Sequence, residues 1–152
     1  MFPTYRLATE ADLSAIVQLL ADDALGAQRE AFQLPLPDSY QQAFRVIHTD
    51  PQQELTVVEL DGEIVATFQL TFIQYLTYQG GIRTQIEAVR VSAAHRGRGL
   101  GTAIFAYAID RAKQRGAHLL QLTTDKRRPD ALLFYESLGF VASHEGMKLR
   151  LT

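Results

Sequence analysis

The sequence predicts an α/β fold, with helices and strands gathered around a mixed sheet, and three observations predict it. A block of period-two segments lies between residues 55 and 92 and is punctuated by hairpin signals. A glycine-rich loop joins the last of those strands to a segment of helical period. Apolar residues at helical spacing also precede the strand block and follow the loop. The expected order is β-α-α-β-β-β-α-β-α-β-β, without repeats or low-complexity tracts.

Pro3 to Leu7 is short and extended in character and stops at Ala8-Thr9. Thr9 is placed to cap a helix whose first turn holds Glu10 and Asp12, acidic groups that suit a helix N-terminus. Leu13, Ile16, Val17 and Leu20 follow at helical spacing. Asp22 to Asp38 has weak periodicity and contains Gly26, Pro35 and Pro37, which predicts an irregular connection. A second helix starts at Asp38 or Ser39, presents Tyr40, Phe44 and Ile47 on one face, and ends at Asp50-Pro51.

Leu55 to Leu60 reads as a strand, Asp61-Gly62 as a two-residue hairpin, and Glu63 to about Tyr75 as the return strand. In it Ile64, Ala66, Phe68, Leu70 and Phe72 alternate with Val65, Thr67, Gln69 and Thr71. Gly80-Gly81 is expected to turn the chain into a strand over Arg83 to Ser92. The loop Arg96 to Gly101 then opens a helix with Leu100, Ala103, Ile104, Tyr107 and Ala108 on its apolar face, stopped by Gly116. His118 to Thr124 is the next strand, and a helical crossover makes it a parallel neighbour of the strand before the loop. Pro129 suits the first turn of a last helix, lined by Ala131, Phe134, Tyr135 and Leu138 and ended by Gly139. Phe140 to Ser143 and Met147 to Leu151 read as a closing hairpin.

Bulk properties narrow the function. A chain of 152 residues fits one domain, 1–152, and its 47% hydrophobic content can fill a core without metal or disulfide staples. A formal net charge of −2 argues against a nucleic-acid binder, whose affinity comes from many contacts of Lys and Arg to phosphate. The absence of cysteine excludes disulfides, a thiolate nucleophile and a Cys-based zinc site. His48, His95, His118 and His144 are scattered, so no catalytic metal is expected. Met1 to Asp12 lacks the apolar core of a signal peptide, and no run reaches the ~18 apolar residues of a membrane span. A soluble, cytoplasmic protein is the expectation.

Arg96-Gly97-Arg98-Gly99-Leu100-Gly101 carries the chemistry. The first N–H groups of a helix lack partners and attract phosphate, and glycines let backbone approach a ligand closely. The P-loop pattern fails, because Thr102 follows Gly101 with no Lys. The dinucleotide fingerprint also fails, because Gly97, Gly99 and Gly101 are evenly spaced. What matches is Arg-x-x-Gly-x-Gly on Arg96, Gly99 and Gly101. Downstream stands Ala131-Leu132-Leu133-Phe134-Tyr135-Glu136-Ser137-Leu138-Gly139-Phe140. Together these two stretches resemble the signature regions of the GNAT superfamily of N-acetyltransferases, closely over Ile82 to Val141 and in element order over the whole chain.

The resemblance implies a single-domain GNAT-like fold, a mixed and mostly antiparallel central sheet with helices on both faces. It implies acetyl-CoA as cosubstrate, with Arg96, Gly97, Arg98, Gly99, Gly101 and Thr102 around its pyrophosphate. The backbone of Val89 and Val91 would pair with the pantetheine arm, and the Val89 N–H would polarise the thioester carbonyl. Tyr135 would protonate the leaving thiolate; helix spacing alone reads it as a core tyrosine. Glu87 is the candidate base, since an acid inside a strand is costly to bury unless paired or used, and Arg83 or Arg90 is the alternative partner. Strict alternation puts Glu87 on the face of Val89 and Val91, unless a bulge intervenes. Many relatives have Asn where this chain has Arg128, and the run Lys126 to Arg128 is either a phosphate contact or a solvated loop.

For the acceptor, an amine, the family places Asp22 to Asp38, Tyr40, Tyr75 and the Ser143 to Gly146 turn near the entry. Asp22, Asp23 and Glu145 would suit a cation. Small amines, amino acids, antibiotics and protein amines all remain open. The alternative is a non-catalytic acyl-CoA-binding or sensing module. A homodimer rests on family analogy alone.

Overall fold

A computed structural model describes residues 2–152 of the chain. It divides into two compact units, one ending at Gln121 and the other Leu122–Thr152. The first holds β1 (Thr4–Leu7), α1 (Leu13–Ala21), α2 (Ala24–Arg29), α3 (Asp38–Thr49), β2 (Gln53–Leu60), β3 (Glu63–Gln74), the single turn α4 (Thr77–Gly80), β4 (Ile82–Val91), α5 (Leu100–Gln114) and β5 (Leu119–Gln121). The sheet order is β1-β2-β3-β4-β5. The first three pairings are antiparallel and β4 pairs with β5 in parallel, as the crossover through α5 requires.

Alternation along β2 and β3 sends side chains to two covered faces. On one, Leu55, Val57 and Ile64 pack with Ala8, Leu13, Ile16 and Val17 beneath α1, and with Phe44 of α3. On the other, Phe68 meets Tyr107 of α5 edge-on at 5.8 Å, and Tyr5 stacks on the same ring at 4.3 Å. Two ion pairs pin these layers. Arg111 of α5 reaches buried Glu54 at 2.7 Å. Arg6 of β1 holds Asp12 at 2.6 Å, and the Asp12 carboxylate also accepts the Thr9 N–H, fixing the entry to α1.

Four local expectations change. The connection after α1 contains α2, because Asp23 accepts the Gly26 N–H and caps a short helix within a segment of weak periodicity. The Gly80-Gly81 turn begins earlier, at α4, where Tyr78 and Gln79 adopt left-handed backbone with φ of 55° and 60°. β5 spans only three residues rather than the seven expected from 118 to 124. In the second unit α6 (Pro129–Ser137) forms as expected, with Ala131, Phe134, Tyr135 and Leu138 its half-buried positions. The closing hairpin does not form: no strand is found among residues 140–152, and Met147, Leu149 and Leu151 are exposed. Alternation makes a strand only where a neighbouring backbone takes its ladder bonds.

Candidate active site

The site is set by the second half of β4. β5 pairs with β4 only from Arg83 to Gln85, so beyond that point the edge of β4 facing β5 has no ladder partner among the described residues. Against β3 the register runs Glu87 to Gln69 and then Arg90 to Thr67. One extra residue is thus lodged in β4, and Ala88 takes it up with φ of 54°. A left-handed alanine is a strained position that costs on the order of 1–2 kcal/mol, held here by well-ordered pairing on both sides.

The bulge corrects the face assignment. Cross-strand partners share a face, so Glu87 lies with Gln69 on the side of α1 and α3. Val91 pairs with Ala66, on the opposite face. Glu87 is exposed, not buried, and accepts a long 3.4 Å hydrogen bond from Gln85 Nε2. The cost of burial therefore gives no reason for its presence. Neither expected arginine pairs with it: Arg90 reaches Asp23 at 3.2 Å, and Arg83 lies over the Tyr75 ring at 4.6 Å. Asp22, expected to meet a cation, is engaged as well, 3.5 Å from Arg96. The carbonyls of Val89 and Val91 accept from Arg90 Nη1 at 2.9 Å and Arg96 Nε at 3.0 Å.

β4 then runs through Ala93 to His95, a 3-10 turn tied by a 2.7 Å hydrogen bond between Ser92 Oγ and His95 Nδ1. Gly97 and Gly99 have φ of 73° and 82°, conformations that side-chain-bearing residues rarely adopt, and nothing lies within 4 Å of where their Cβ atoms would stand. Gly99 caps α5, whose opening amides, those of Leu100, Gly101 and Thr102, have no partner one turn back. Arg98 and Thr102 are exposed beside them. A cavity of about 260 Å³ adjoins the loop, lined by His95, Arg98, Gly99, Leu100 and Ala103 together with Pro3 and Leu60. Open space over unpaired amides, with arginine on the rim, fits a diphosphate-bearing group.

A second cavity, of about 110 Å³, lies on the other side of the bulge. Ala88, Thr67 and Gln69 form its floor, and Leu20, Tyr40 and Ile47 stand among its walls. Sequence reasoning placed Tyr40 near the acceptor but missed Ala88 and Gln69. The signal for Ala88 was present: apolar positions in β4 change phase from Ile82 and Ile86 to Val89 and Val91, as an inserted residue requires. For Gln69 there was none. Tyr75, also expected near the acceptor, joins a separate cluster at the start of β4. Its hydroxyl is hydrogen-bonded to His118 Nε2, and the rings of Tyr78 and His118 lie 4.7 Å apart. Arg83 and Val89 are six residues apart, roughly 20 Å along the strand.

In the second unit, Tyr135 sits on α6 with its ring 6.1 Å from Phe140 in edge contact. Arg128 occupies the N-cap of α6 without a side-chain cap, where an Asn would supply one. Arg127 is bound to Asp125 at 2.6 Å, which holds that carboxyl well below the usual range. No group of three or more His, Cys, Asp or Glu is arranged to hold a metal, and no helix is long and apolar enough to cross a membrane, among the described residues.

Residues 17–140 match the acetyltransferase (GNAT) family. The chain is 55% identical to a transcriptional regulator from Bacillus halodurans C-125, whose crystal structure matches with a TM-score of 0.95 over 99% of this chain and 100% of that one. It is 26% identical to an acetyltransferase of Trypanosoma brucei, with a TM-score of 0.78 over 99% and 100% of the two chains. It is 28% identical to the aminoalkylphosphonate N-acetyltransferase of Salmonella typhimurium over 106 residues, 70% of this chain and 68% of that protein. The matched span takes in the bulged strand, the glycine loop and the helix of Tyr135, and the chain belongs to the acetyltransferase (GNAT) family.

Proposed function

We propose that this acetyltransferase is acetyl-CoA-dependent and moves the acetyl group to a primary amine by direct attack in a ternary complex. The observation that carries this is the free edge of β4 beyond Gln85, bulged at Ala88 and running into the open amides at the start of α5. The family match passes through both compact units, which supports reading 1–152 as one domain.

Acetyl-CoA, when bound, supplies the acyl group as a thioester. Arg96, Gly97, Arg98, Gly99, Gly101 and Thr102 hold its diphosphate, through backbone amides that need no rearrangement and arginines that add countercharge. The backbone of Val89 and Val91 orients the arm, and the Val89 N–H donates to the carbonyl oxygen as negative charge grows there. Glu87 takes a proton from the acceptor nitrogen, directly or through one water; its exposure leaves it reachable. Tyr135 delivers its proton to sulfur as the C–S bond breaks and the N–C bond forms. For an acceptor that arrives as an ammonium ion the protons balance: nitrogen gives one to Glu87 before attack and a second to water as the amide forms, and Tyr135 gives one to sulfur.

The test is amine-dependent release of free thiol from acetyl-CoA. Tyr135→Phe is expected to lower kcat by about 10²-fold or more, the scale of a lost general acid, with little change in acetyl-CoA affinity. Unchanged kcat with chemistry rate-limiting removes Tyr135 from this role. One observation favours a second reading, a non-catalytic acyl-CoA sensor: the 55% identical relative is named as a transcriptional regulator. Acetyl-CoA binding without thiol release across a broad amine panel would favour that reading.

A further inference from the structure

The 110 Å³ cavity beside the bulge has a chemical character that narrows the acceptor. None of its lining residues is charged. Its walls are the apolar faces of α1 and α3, where Leu13, Val17 and Phe44 are buried. Of the acids in the neighbouring connection, Asp22 turns to Arg96 and Asp23 to Arg90, while Glu30 accepts a 2.9 Å hydrogen bond from the Tyr40 hydroxyl. No lining residue carries a charge that would hold a phosphonate, a sugar phosphate or a second ammonium group.

Polar groups occur where the cavity meets β4. Gln69 donates through Nε2 to Gln53 at 2.6 Å, which leaves its Oε1 as an acceptor. Its ladder partner is Glu87, on the same face, and Ala88 is both a wall of the cavity and the residue before Val89. An amine whose nitrogen lies at Gln69 and Glu87 has its carbon body directed between α1 and α3. A dry cavity of ~150 Å³ accepts benzene, so this smaller space takes a branched chain of about four or five carbons.

Resting on the transferase reading above, we infer that the acceptor is a primary amine with a compact uncharged apolar body, seated between α1 and α3, and that Gln69 positions its nitrogen. A phosphorylated, phosphonate-bearing or polycationic amine does not fit. This sets the chain apart from its aminoalkylphosphonate-acetylating relative at the level of substrate class.

The experiment is steady-state thiol release from acetyl-CoA by the full chain, with linear amines from ethyl to octyl, 3-methylbutylamine, 2-aminoethylphosphonate and spermidine as acceptors. KM is expected to fall about fourfold for each methylene up to butyl or pentyl, the increment of one buried CH₂, and to rise again beyond. 3-Methylbutylamine should exceed 2-aminoethylphosphonate and spermidine in kcat/KM by about 30-fold or more, as two or three such increments give. Ala43→Phe, on the exposed side of α3 at the cavity wall, should move the optimum to shorter chains; Ile47→Ala should move it to longer ones. Gln69→Leu should reduce kcat/KM for every amine while leaving the preferred length in place. Thiol release with a flat chain-length profile, or with 2-aminoethylphosphonate or spermidine preferred, overturns the inference and leaves the transferase standing. Acetyl-CoA binding without thiol release from any amine overturns both.

Discussion

Ala88 and Glu87 show how much of the proposed chemistry rests on single residues. Ala88 adopts φ of 54° inside a strand, which glycine tolerates and a β-branched residue does not. Ala88→Val is expected to cost about 1–2 kcal/mol in chemical denaturation and to lower turnover by straightening the bulge. A variant as stable as the parent would mean that the bulge survives elsewhere in the strand. Glu87 is exposed and pairs with neither Arg83 nor Arg90, which is compatible with the proton transfer proposed for it. Glu87→Gln is expected to lower kcat/KM by about 10²-fold near neutral pH, a deficit that shrinks as rising pH delivers the amine already deprotonated. The measurement is a kcat/KM profile from pH 6 to 10; a loss constant across it would assign Glu87 a structural part.

The elements are held by ion pairs that act like rivets between layers, and Arg6 with Asp12 is the one most open to test. Arg6 beside Asp12, helped by the Thr9 N–H and hydroxyl, lowers the Asp12 carboxyl from its ordinary value of 3.8 to about 2. A depressed carboxyl stabilises the fold above the unfolded value and loses that contribution as pH falls through the folded one. The window is therefore about pH 4 down to 2. Arg6 is partly exposed, so screening leaves about 1–2 kcal/mol. Asp12→Asn should lower stability by that amount at pH 7 and flatten the fall between pH 4 and 2, followed by urea unfolding at each pH. At this scale the sequence was most legible where one interaction dominates. Asp61-Gly62 marked the β2–β3 hairpin, Pro129 the start of α6, and Gly99 the start of α5. It was least legible where a partner decides. Met147, Leu149 and Leu151 alternate as a strand would, yet no strand forms there. α2 depends on a cap by Asp23 that weak periodicity hides. The bulge could be read only as a phase change in β4, and Gln69 only once β3 and β4 were laid side by side.

Across the molecule, most of the arginine charge is paired locally. The arginines at 6, 29, 45, 90, 96, 111, 115 and 127 all stand in ion pairs with acids. The formal net charge of the whole chain is −2. What the first unit offers is an interrupted strand pairing, a glycine loop and a helix N-terminus in succession, flanked by two cavities of different character. The proposed chemistry requires a diphosphate-bearing acyl carrier to be held where the left-handed Gly99 opens α5. Calorimetric titration of acetyl-CoA into the parent protein and into a folded Gly99→Val variant tests it most directly. One site per chain is expected in the parent, with an affinity lowered by about tenfold or more in the variant, since valine is strained at φ of 82°. No heat from acetyl-CoA in the parent, or equal affinity in the two proteins, would contradict it.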